Sequence, residues 1–424
     1  MFKNENIGKM SSKALLFILF LSLNYGFSQL QVPSNTQSLK DKVTALMETS
    51  IENKAFPGAQ VLIFKKDSLL LNESYGYHTY DKQTQVTNEH LYDLASLTKV
   101  LASTLALMKL YELYDLDLDE PASNWIPLLK RSNKRKSSFK AILSHSAGWI
   151  PYITHQNTVF KKKGGFKRNT LSSYQSKRFP KSVSDSLYVH KRYEQKIKKR
   201  IKKTPLINPG KMVYSGLFFF LVPQLVHDLS GLSFEEFLDL HFYRPMELER
   251  IGFLPTRKFP KSVLVPTEQD SLFRKKLVHG WVHDEAAALM GGISGNAGLF
   301  ANATAIAPLL QMLLNKGNYK NKNYLNPKTV ELFTKRTYPN SENRRGLGFD
   351  KPTLELEAPD RYPSTGVSEE TYGHTGFTGT MAWVDPKNEL IFILLTNRVY
   401  PTRENRGLYD GNIRPKLIQY ALEE

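Results

Sequence analysis

The sequence predicts an α+β fold whose antiparallel sheet is assembled from both ends of the chain. Near the amino terminus, two apolar segments, 59–64 and 69–75, are separated by a turn and have the composition of strands. Near the carboxyl terminus, the segments 380–384 and 390–395 flank the turn sequence Asp-Pro-Lys-Asn and are also typical of strands. With 424 residues, of which 41% are apolar, the chain is long enough to bury a large core.

The part of the chain between these strands has mainly helical periodicity. The apolar stretch 212–222 predicts a helix that Pro223 should kink or interrupt. Further helices are predicted over about residues 39–53, 96–113, 234–241 and 413–422, with another beginning at 139–143.

Strands at both ends with helices between them predict two lobes. The sheet lobe would comprise about residues 38–92 and 265–424, and the helical lobe about residues 93–264, including an insert at 153–205. A cleft would lie where the lobes meet, and such junctions are common sites for small substrates.

The amino terminus predicts a secretory signal peptide, residues 1–28. Three lysines precede the apolar run 14–23, and the small residues Gly26 and Ser28 suit a signal peptidase, so cleavage is expected after Ser28. About ten apolar residues are too few to span a bilayer, which takes about 20, and a buried amino-terminal helix is the alternative. We expect a mature protein, 29–424, that is secreted or periplasmic and has no transmembrane segment.

The chain is strongly basic, and its excess charge is concentrated in the insert. There are 58 Lys and Arg against 40 Asp and Glu, and 16 of the basic residues lie between Lys161 and Lys203 against only Asp185 and Glu194. Such an excess suggests nucleic acid, anionic lipid or an acidic polymer. Interspersed aromatic residues would suit nucleic acid, but a secreted protein meets other polyanions first. An anionic cell-envelope polymer or lipid surface is therefore a better candidate partner than nucleic acid, and an inert solvated loop with no partner is the interpretation that we favour over both.

The insert itself offers little secondary-structure signal. Its middle, with Gly164-Gly165 and Ser172-Ser173, is predicted to be a loop. The segment 191–203 predicts a helix whose charged surface is largely solvated. The chain contains no cysteine, which excludes disulfides, thiolate metal sites and lipid anchoring through a cysteine.

The tetrapeptide Ser96-Leu97-Thr98-Lys99 is the strongest chemical signal in the chain. Residues three apart share one face of a helix, so the Ser96 hydroxyl and the Lys99 amine can meet. Serine is a poor nucleophile unless a base removes its proton, and a desolvated lysine can supply that base. The apolar residues that follow favour burial of Lys99. A solvated helix face is the alternative, because the spacing alone is weak evidence.

Two further segments could face the same cleft. Tyr214, in the sequence Val-Tyr-Ser-Gly, lies before an apolar helix and could offer its phenol as a proton relay, although a tyrosine is more often a core residue. The segment 373–379 has three glycines among seven residues just before a predicted strand, and glycine lets a backbone approach a ligand closely.

Taken in order, three motifs resemble those of the serine β-lactamase and penicillin-binding-protein superfamily. They are Ser96-x-x-Lys99, Tyr214-Ser215-Gly216 and His374-Thr375-Gly376. The resemblance covers about residues 40–420 and is closest to class C β-lactamase-related hydrolases, in an envelope subgroup that is also found fused to family 3 glycoside hydrolases. Other segments that carry it are Leu-Ser-His-Ser-Ala-Gly at 143–148, Val-His-Asp-Glu at 282–285, the glycine-rich 291–300 and Leu-Thr-Asn-Arg-Val at 395–399.

The resemblance implies a β-lactamase/transpeptidase-like fold and an acyl-enzyme mechanism. Ser96 would attack a carbonyl carbon, and Lys99 and Tyr214 would move protons. By similarity, the backbone N–H groups of Ser96 and Phe377 would form the oxyanion hole, with Phe377 on the edge strand of the sheet. Losing one such donor typically costs about 3 kcal/mol of transition-state stabilisation.

The third motif, His374-Thr375-Gly376, would border the substrate. His374 stands where many relatives have lysine, and a histidine at this position resembles some DD-peptidases and D-aminopeptidases. It would help to bind a carboxylate or would only hydrogen-bond Tyr214.

Two positions depart from the family pattern. Gly216 replaces the usual asparagine or aspartate, whose side chain contacts the substrate amide and the catalytic lysine, so efficient β-lactam hydrolysis is not expected. Asn296 stands where the subgroup often has histidine, and a structural role is expected for it.

The resemblance and the envelope location together favour small peptides with D-amino acids, of the peptidoglycan type, as substrates. A carboxylesterase is the nearest alternative, and a catalytically degenerate cell-wall-binding protein is the alternative from another class. We expect no cofactor and no metal, since Gly280 disfavours the helix that would align His279 with His283 as ligands. The absence of G-x-S-x-G argues against an α/β-hydrolase.

Overall fold

A computed structural model describes residues 36–355 and 361–424 of the chain. The predicted signal peptide, residues 1–28, lies outside the described residues. The strands are β1 Gly58–Lys65, β2 Ser68–Gly76, β3 Tyr92–Asp93, β4 Leu171–Ser172, β5 Lys181–Ser184, β6 Leu187–Val189, β7 Ile251–Phe253, β8 Gln269–Asp270, β9 Lys276–Leu277, β10 Leu299–Ala301, β11 Asn318–Tyr319, β12 Lys322–Asn323, β13 Tyr372–Thr375, β14 Met381–Asp385 and β15 Leu390–Thr396.

The α-helices are α1 Thr36–Glu52, α2 Leu105–Tyr114, α3 Phe139–Leu143, α4 Tyr193–Lys203, α5 Val222–Ser230, α6 Phe234–Leu238, α7 Glu285–Leu289, α8 Ala303–Leu314, α9 Pro327–Thr334, α10 Gly407–Asp410 and α11 Ile413–Leu422. Within residues 36–355 and 361–424, no helix combines the length and apolar composition that a membrane span needs.

The central sheet has five antiparallel strands in the order β13-β14-β15-β1-β2. β1 pairs with β15, with Ala59 opposite Thr396 and Lys65 opposite Leu390, so the two ends of the chain lie side by side. This confirms the predicted α+β class and the sheet built from both chain ends. Strand β13 was not predicted, because it is short and contains Gly373.

Side chains of the sheet alternate between two apolar cores, because the side-chain period of a strand is two. Val61 and Ile63 belong to a core shared with α1 and α11, whereas Leu62 and Phe64 belong to the core shared with α2 and α8. Every residue of β1 and β15 is buried, as layers of helices on both faces of a sheet require.

The helix predicted from Ser96 to about residue 113 is composite. A 3-10 turn, Ala95–Leu97, leads into a π-helical segment, Lys99–Thr104, and then into α2. All six residues of the π-helical segment are buried, so the chain enters the core directly after Ser96. Widened turns of this kind occur frequently at functional sites.

The helix predicted over 212–222 is wrong in its position. Residues 212–216 are irregular, a 3-10 turn follows at Phe218–Leu221, and Pro223 lies in the first turn of α5. Proline is tolerated there because the first N–H groups of a helix have no intrahelical partner. The irregular stretch leaves Tyr214 on a loop.

The basic insert is more ordered than the sequence indicates. Its middle, predicted to be a loop, contains a three-stranded antiparallel sheet in the order β4-β6-β5. The helix predicted over 191–203 is present as α4, but it buries Tyr193, Ile197 and Ile201 in the core instead of being solvated all round. Their spacing of four places them on one face. The middle of the chain is therefore not purely helical.

Candidate active site

Ser96 and Lys99 meet at the start of the composite helix. Lys99 Nζ lies 2.9 Å from Ser96 Oγ and 2.8 Å from the backbone oxygen of Asn296. Lys99 is only 3% exposed, and the rings of Tyr214 and Phe219 each lie 5.6 Å from its Nζ. A buried amine held against a serine hydroxyl is an arrangement that can remove the proton of that hydroxyl.

The turn before Ser96 is fixed by Asp93. Its carboxylate accepts hydrogen bonds from the backbone N–H of Ala95 at 2.8 Å and from that of His283 at 2.6 Å. Ala95 has a φ of +46°, which residues with a Cβ rarely adopt. Strain of this kind costs on the order of 1–3 kcal/mol and persists only where the surroundings impose it. Asp93 therefore positions Ser96 through the backbone.

The turn between β13 and β14 is tied to the same segment. Thr378 Oγ1 donates to the Asp93 carbonyl at 2.7 Å, and Thr380 Oγ1 donates to the Leu94 carbonyl at 3.0 Å. A Cβ at Gly376 would lie 2.5 Å from Leu94 O and would also overlap Thr380 Oγ1. The last residue of His374-Thr375-Gly376 must therefore be glycine for the turn to approach Ser96.

Replacing Gly376 by alanine is expected to lower the acylation rate of Ser96 by about 100-fold, since a displacement of about 1 Å in a catalytic site can have that effect. The acylation rate can be measured with a fluorophosphonate, and the melting temperature reports whether the fold survives. A variant that acylates as fast as the unmodified protein would show that this close approach is not needed.

Phe377 lies in the turn just past the end of β13, and not on the edge strand as expected. The strand ends early because the chain must bend around Gly376 to reach the turn that precedes Ser96. The Phe377 N–H donates no hydrogen bond to any residue that the structure describes. Its ring, 48% exposed, stacks on His283 and has the Arg398 guanidinium carbon 4.7 Å from its centroid.

Glu268 holds His283 against Phe377. His283 Nε2 lies 2.8 Å from Glu268 Oε2, and Arg403 donates to the same oxygen at 2.6 Å. Burial acts to raise the pKa of Glu268, but the hydrogen bonds from His283 and Arg403 prevail and lower it to about 2.

His279 Nε2 contacts the Leu264 carbonyl at 2.7 Å, and the described residues contain no group of three or more metal-ligating side chains.

The ring of Tyr214 is enclosed by polar groups from four segments. The rings of His145 and His374 lie 4.7 and 5.7 Å from it, and Lys99 Nζ and Arg345 Cζ lie 5.6 and 5.5 Å from its centroid. The residue is still 37% exposed, so a substrate can reach it.

His145 fixes the loop that carries Tyr214. Its backbone oxygen accepts from the Val213 N–H at 2.8 Å, and its Nδ1 accepts from the Ser215 N–H at 3.1 Å. Since Nδ1 accepts, the neutral ring carries its proton on Nε2. In the sequence, His145 stood out only through the resemblance of 143–148.

His374 and His145 are both neutral at physiological pH. Burial, together with the charges of Arg345 and Lys99, lowers the pKa of His374 to about 3. Burial, with Arg345 and His374 nearby, holds the pKa of His145 well below its usual range. His374 Nδ1 lies 2.6 Å from the Thr375 carbonyl, to which it donates, so its Nε2 is an acceptor. His374 therefore suits a hydrogen-bond donor better than a carboxylate.

We expect neither His374 nor His145 to titrate between pH 5 and 8. Because the unfolded histidines bind protons near pH 6.5 and the folded ones do not, their contribution to stability is present above about pH 6.5 and is lost as pH falls toward 3. NMR of ¹⁵N-labelled histidines, assigned with His374→Gln and His145→Gln, measures protonation and tautomer. A titration near pH 6.5 at either residue would contradict the expectation.

Arg345 is a site residue that no sequence pattern revealed. It is 3% exposed, and its Nη1 pairs with Asp350 at 3.1 Å. Its Nε and Nη2 have no hydrogen-bond partner among the described residues. Burial raises the pKa of Asp350, but Arg345 and Arg344 outweigh it and hold that pKa below its ordinary value. A permanent positive charge therefore lies beside Tyr214.

Gly216 leaves room beside the lysine. A Cβ at this position would lie 3.8 Å from Lys99 Cε, which is ordinary van der Waals contact. The Gly216 N–H donates to the Pro151 carbonyl at 3.1 Å, and Ser215 Oγ donates to the Ile150 carbonyl at 2.7 Å. Glycine at 216 therefore leaves open space beside Lys99, in a loop that hydrogen bonds to Ile150 and Pro151 hold in place.

Comparison with known proteins agrees with this geometry. The sequence profile of the β-lactamase family matches residues 39–412. A protein of Salmonella heidelberg (strain SL476) named "Putative D-alanyl-D-alanine carboxypeptidase" is 31% identical over 374 residues, which cover 81% of this chain and 79% of the relative. A protein of Salmonella typhimurium with the same name has the same identity and coverage.

Solved structures show the same fold. A penicillin-binding protein homologue from Caulobacter crescentus has a TM-score of 0.62 at 16% identity and covers 90% of this chain and 97% of its own. EstCE1, described as a hydrolase with promiscuous acyltransferase activity, has a TM-score of 0.61 at 18% identity and covers 88% of this chain and 99% of its own. The chain belongs to the β-lactamase family and is a serine hydrolase with a β-lactamase/transpeptidase-like fold.

Proposed function

We propose that this hydrolase removes the carboxyl-terminal residue from small peptides with D-amino acids, of the peptidoglycan type, through an acyl-enzyme on Ser96. The observation that carries the proposal is the buried contact between Lys99 Nζ and Ser96 Oγ at 2.9 Å, beside Tyr214. The name of the Salmonella relatives supports the substrate class.

In the proposed reaction, Ser96 Oγ bonds to the acyl carbon and its proton passes to the Lys99 amine. The bond to the leaving amine breaks, and that nitrogen takes a proton relayed through Lys99 and Tyr214. Water then attacks the acyl carbon, gives a proton to the same groups and releases the Ser96 oxygen with its proton restored. The backbone N–H groups of Ser96 and Phe377 would stabilise the oxyanion in both steps.

The charge of the site favours an anionic substrate. Arg345 brings a positive charge to the site, whereas His145 and His374 are neutral. A cleft with one sign of charge attracts ligands of the opposite sign. A peptide with a free terminal carboxylate fits this field better than a neutral ester.

A comparison of four substrates tests the proposal with the mature chain. They are an N-acylated peptide ending in D-Ala-D-Ala, the same peptide ending in L-Ala, its carboxyl-terminal amide, and a p-nitrophenyl ester. We expect the first to have the highest kcat/KM and the amide to lose about 10-fold or more, as expected when one buried charged contact is lost. Ester hydrolysis without release of D-Ala would favour the esterase.

Gly216→Asn is expected to raise the rate of acylation by a penicillin by roughly 3- to 10-fold, because one added hydrogen bond is worth about 1 kcal/mol. A Cβ at this position meets Lys99 Cε at 3.8 Å, so a side chain can begin here without a clash. Gly216→Leu is the matched control, since it adds similar volume without an amide. Equal effects of asparagine and leucine would attribute the change to packing alone.

We also propose secretion after cleavage at Ser28 and an anionic cell-envelope polymer as partner of the insert. The composition of residues 1–28 and the charge between Lys161 and Lys203 support these proposals. The mass of the protein recovered from a periplasmic fraction tests the first. Cytoplasmic recovery of the uncleaved chain would contradict it.

A further inference from the structure

A cationic cavity of about 590 Å³ lies in the basic insert, apart from Ser96. Seven residues line it, of which five are lysine or arginine and none is acidic: Asn169, Lys177, Arg178, His190, Lys191, Arg192 and Lys196. Clefts lined by one sign of charge focus the field and concentrate ions of the opposite sign. In a loop that is only solvated, like charges repel one another and move apart. An excess of positive charge around a concave surface is therefore unusual for such a loop.

The carboxylates of the insert do not neutralise this cavity. Glu194 pairs with Lys181 at 3.1 Å and with Lys198 at 2.7 Å, and Asp185 pairs with Lys261. Among the described residues, the other fourteen lysines and arginines between 161 and 203 form no ion pair with a carboxylate. Carboxylates of the described residues therefore leave the positive charge around the cavity unpaired.

The fold holds these cations together. The Lys191 N–H donates to the Arg178 carbonyl at 3.0 Å, which joins the turn after β4 to the start of α4. Arg178 donates to the Asn169 side chain, and Lys196 Nζ donates to the Asn169 carbonyl at 3.1 Å. Asn169 therefore holds the guanidinium of Arg178 and the ammonium of Lys196 close together.

Burial and the positive charge of these cations affect the pKa of His190. Its backbone N–H donates to the Thr170 carbonyl at 2.9 Å, and its Nδ1 accepts from the Arg192 N–H at 3.1 Å, so it is fixed in the cavity wall. Burial, followed by the charges of Arg178, Lys196 and Arg192, lowers its pKa.

We propose that this cavity binds a phosphate group of an anionic polymer. Arginine presents a planar fork that matches phosphate geometry, lysine adds point charges, and a phosphate offers several strong acceptors to both. Binding would relieve the mutual repulsion of Arg178 and Lys196. The proposal rests on the anionic partner proposed above and is independent of the acyl-enzyme reaction.

Two features favour a polymer over a membrane surface. Additional exposed cations, among them Arg168 and Lys199, lie outside the cavity and would extend the contact along a chain. Tyr174 is the one large apolar side chain of the insert that is exposed in the described structure, whereas a membrane-binding surface needs several.

The insert also contacts the catalytic part of the molecule. Lys181 Nζ donates to the Met290 carbonyl at 3.2 Å, and the loop preceding the insert accepts hydrogen bonds from Ser215 and Gly216 through Ile150 and Pro151. The insert is therefore hydrogen-bonded to the segment at Met290 and follows directly on the loop that holds Ser215 and Gly216.

Binding of a fluorescent polyphosphate to the mature chain tests the proposal. We expect saturable binding whose affinity falls steeply between 50 and 200 mM salt, as for other polyphosphate backbones. Arg178→Gln/Lys196→Gln should weaken binding by about 10-fold or more. The matched pair Arg168→Gln/Lys199→Gln removes the same charges outside the cavity and should weaken it less than about 3-fold.

Three outcomes would overturn the proposal. Equal losses in the two double variants would mean diffuse attraction, and stronger binding to polyglutamate than to polyphosphate would mean carboxylate recognition. Binding to phosphatidylglycerol vesicles but not to polyphosphate would mean a membrane surface. Melting temperatures of both variants confirm folding, and hydrolysis of the peptide substrate, measured separately, distinguishes failure here from failure of the proposed function.

Discussion

Ser96→Ala is expected to abolish covalent labelling by a fluorophosphonate and to reduce peptide hydrolysis by about 10⁶-fold, the typical loss when a serine hydrolase loses its nucleophile. The reason is chemical, because the methyl group of alanine has no oxygen to form the acyl-enzyme. Stability should change little, since Ser96 is partly exposed and the turn is held by the backbone N–H of Ala95 on Asp93. Mass spectrometry of the labelled peptide identifies the modified residue.

Ser103→Ala is the matched control for this experiment. Ser103 lies further along the same composite helix, and its hydroxyl donates to the Gly295 carbonyl at 2.8 Å and not to Lys99. We expect this variant to label normally, with a stability loss of about 1 kcal/mol from the hydrogen bond. Labelling of Ser96→Ala at another serine would remove Ser96 from the mechanism, and no labelling of the unmodified chain would favour the binding-protein alternative.

The parts of the fold that follow from local pattern were predictable. The closing helix begins and ends at the predicted residues, 413 and 422, and both strand pairs at the chain ends lie within about one residue of their predicted bounds. These segments have unbroken periodicity and clear turns. That the two chain ends share a sheet was predicted only from the order of the elements and from the resemblance. The register of β1 against β15 was not predicted, because the sequence of one strand alone does not determine its alignment with a distant strand.

The site was predictable where its members share a motif. Ser96 and Lys99 are three residues apart, so local geometry alone brings them together. Two groups that complete the site come from distant loops: the Asn296 carbonyl on Lys99 and the Arg345 guanidinium beside Tyr214. The Asp93 carboxylate is close in sequence to Ser96, but nothing in the sequence indicated that it holds the turn at Ala95. A carbonyl has no residue signature, and a single arginine in a basic chain has no distinguishing spacing.

For the basic insert, the prediction made from composition was wrong, because the segment is more ordered than its charge indicates. Its lysines dominate any measure of composition and conceal the three apolar residues of α4, Tyr193, Ile197 and Ile201, that anchor it to the core. Long basic side chains need only their ends in water, so a helix can be mostly charged and still pack one apolar stripe. Charge content alone therefore says little about whether such a segment is ordered.

Lys99→Met is expected to slow acylation of Ser96 by about 10²–10⁴-fold, the usual contribution of a positioned general base. Methionine is unbranched and similar in length, so it should fill the space between Tyr214 and Phe219 without a cavity. The Asn296 carbonyl loses its donor, which costs about 1–3 kcal/mol. Stopped-flow labelling with a fluorophosphonate measures the rate, and thermal unfolding measures the stability.

Lys99→Arg separates charge from basicity. Arginine keeps a cation near Ser96 Oγ and Asn296 O but cannot give up its proton at accessible pH. If Lys99 accepts the Ser96 proton, the arginine variant should acylate as slowly as the methionine variant. If Lys99 only supplies positive charge to the site, arginine should retain most of the rate. The second result would transfer the role of base to Tyr214, whose ring lies 5.6 Å from the same nitrogen.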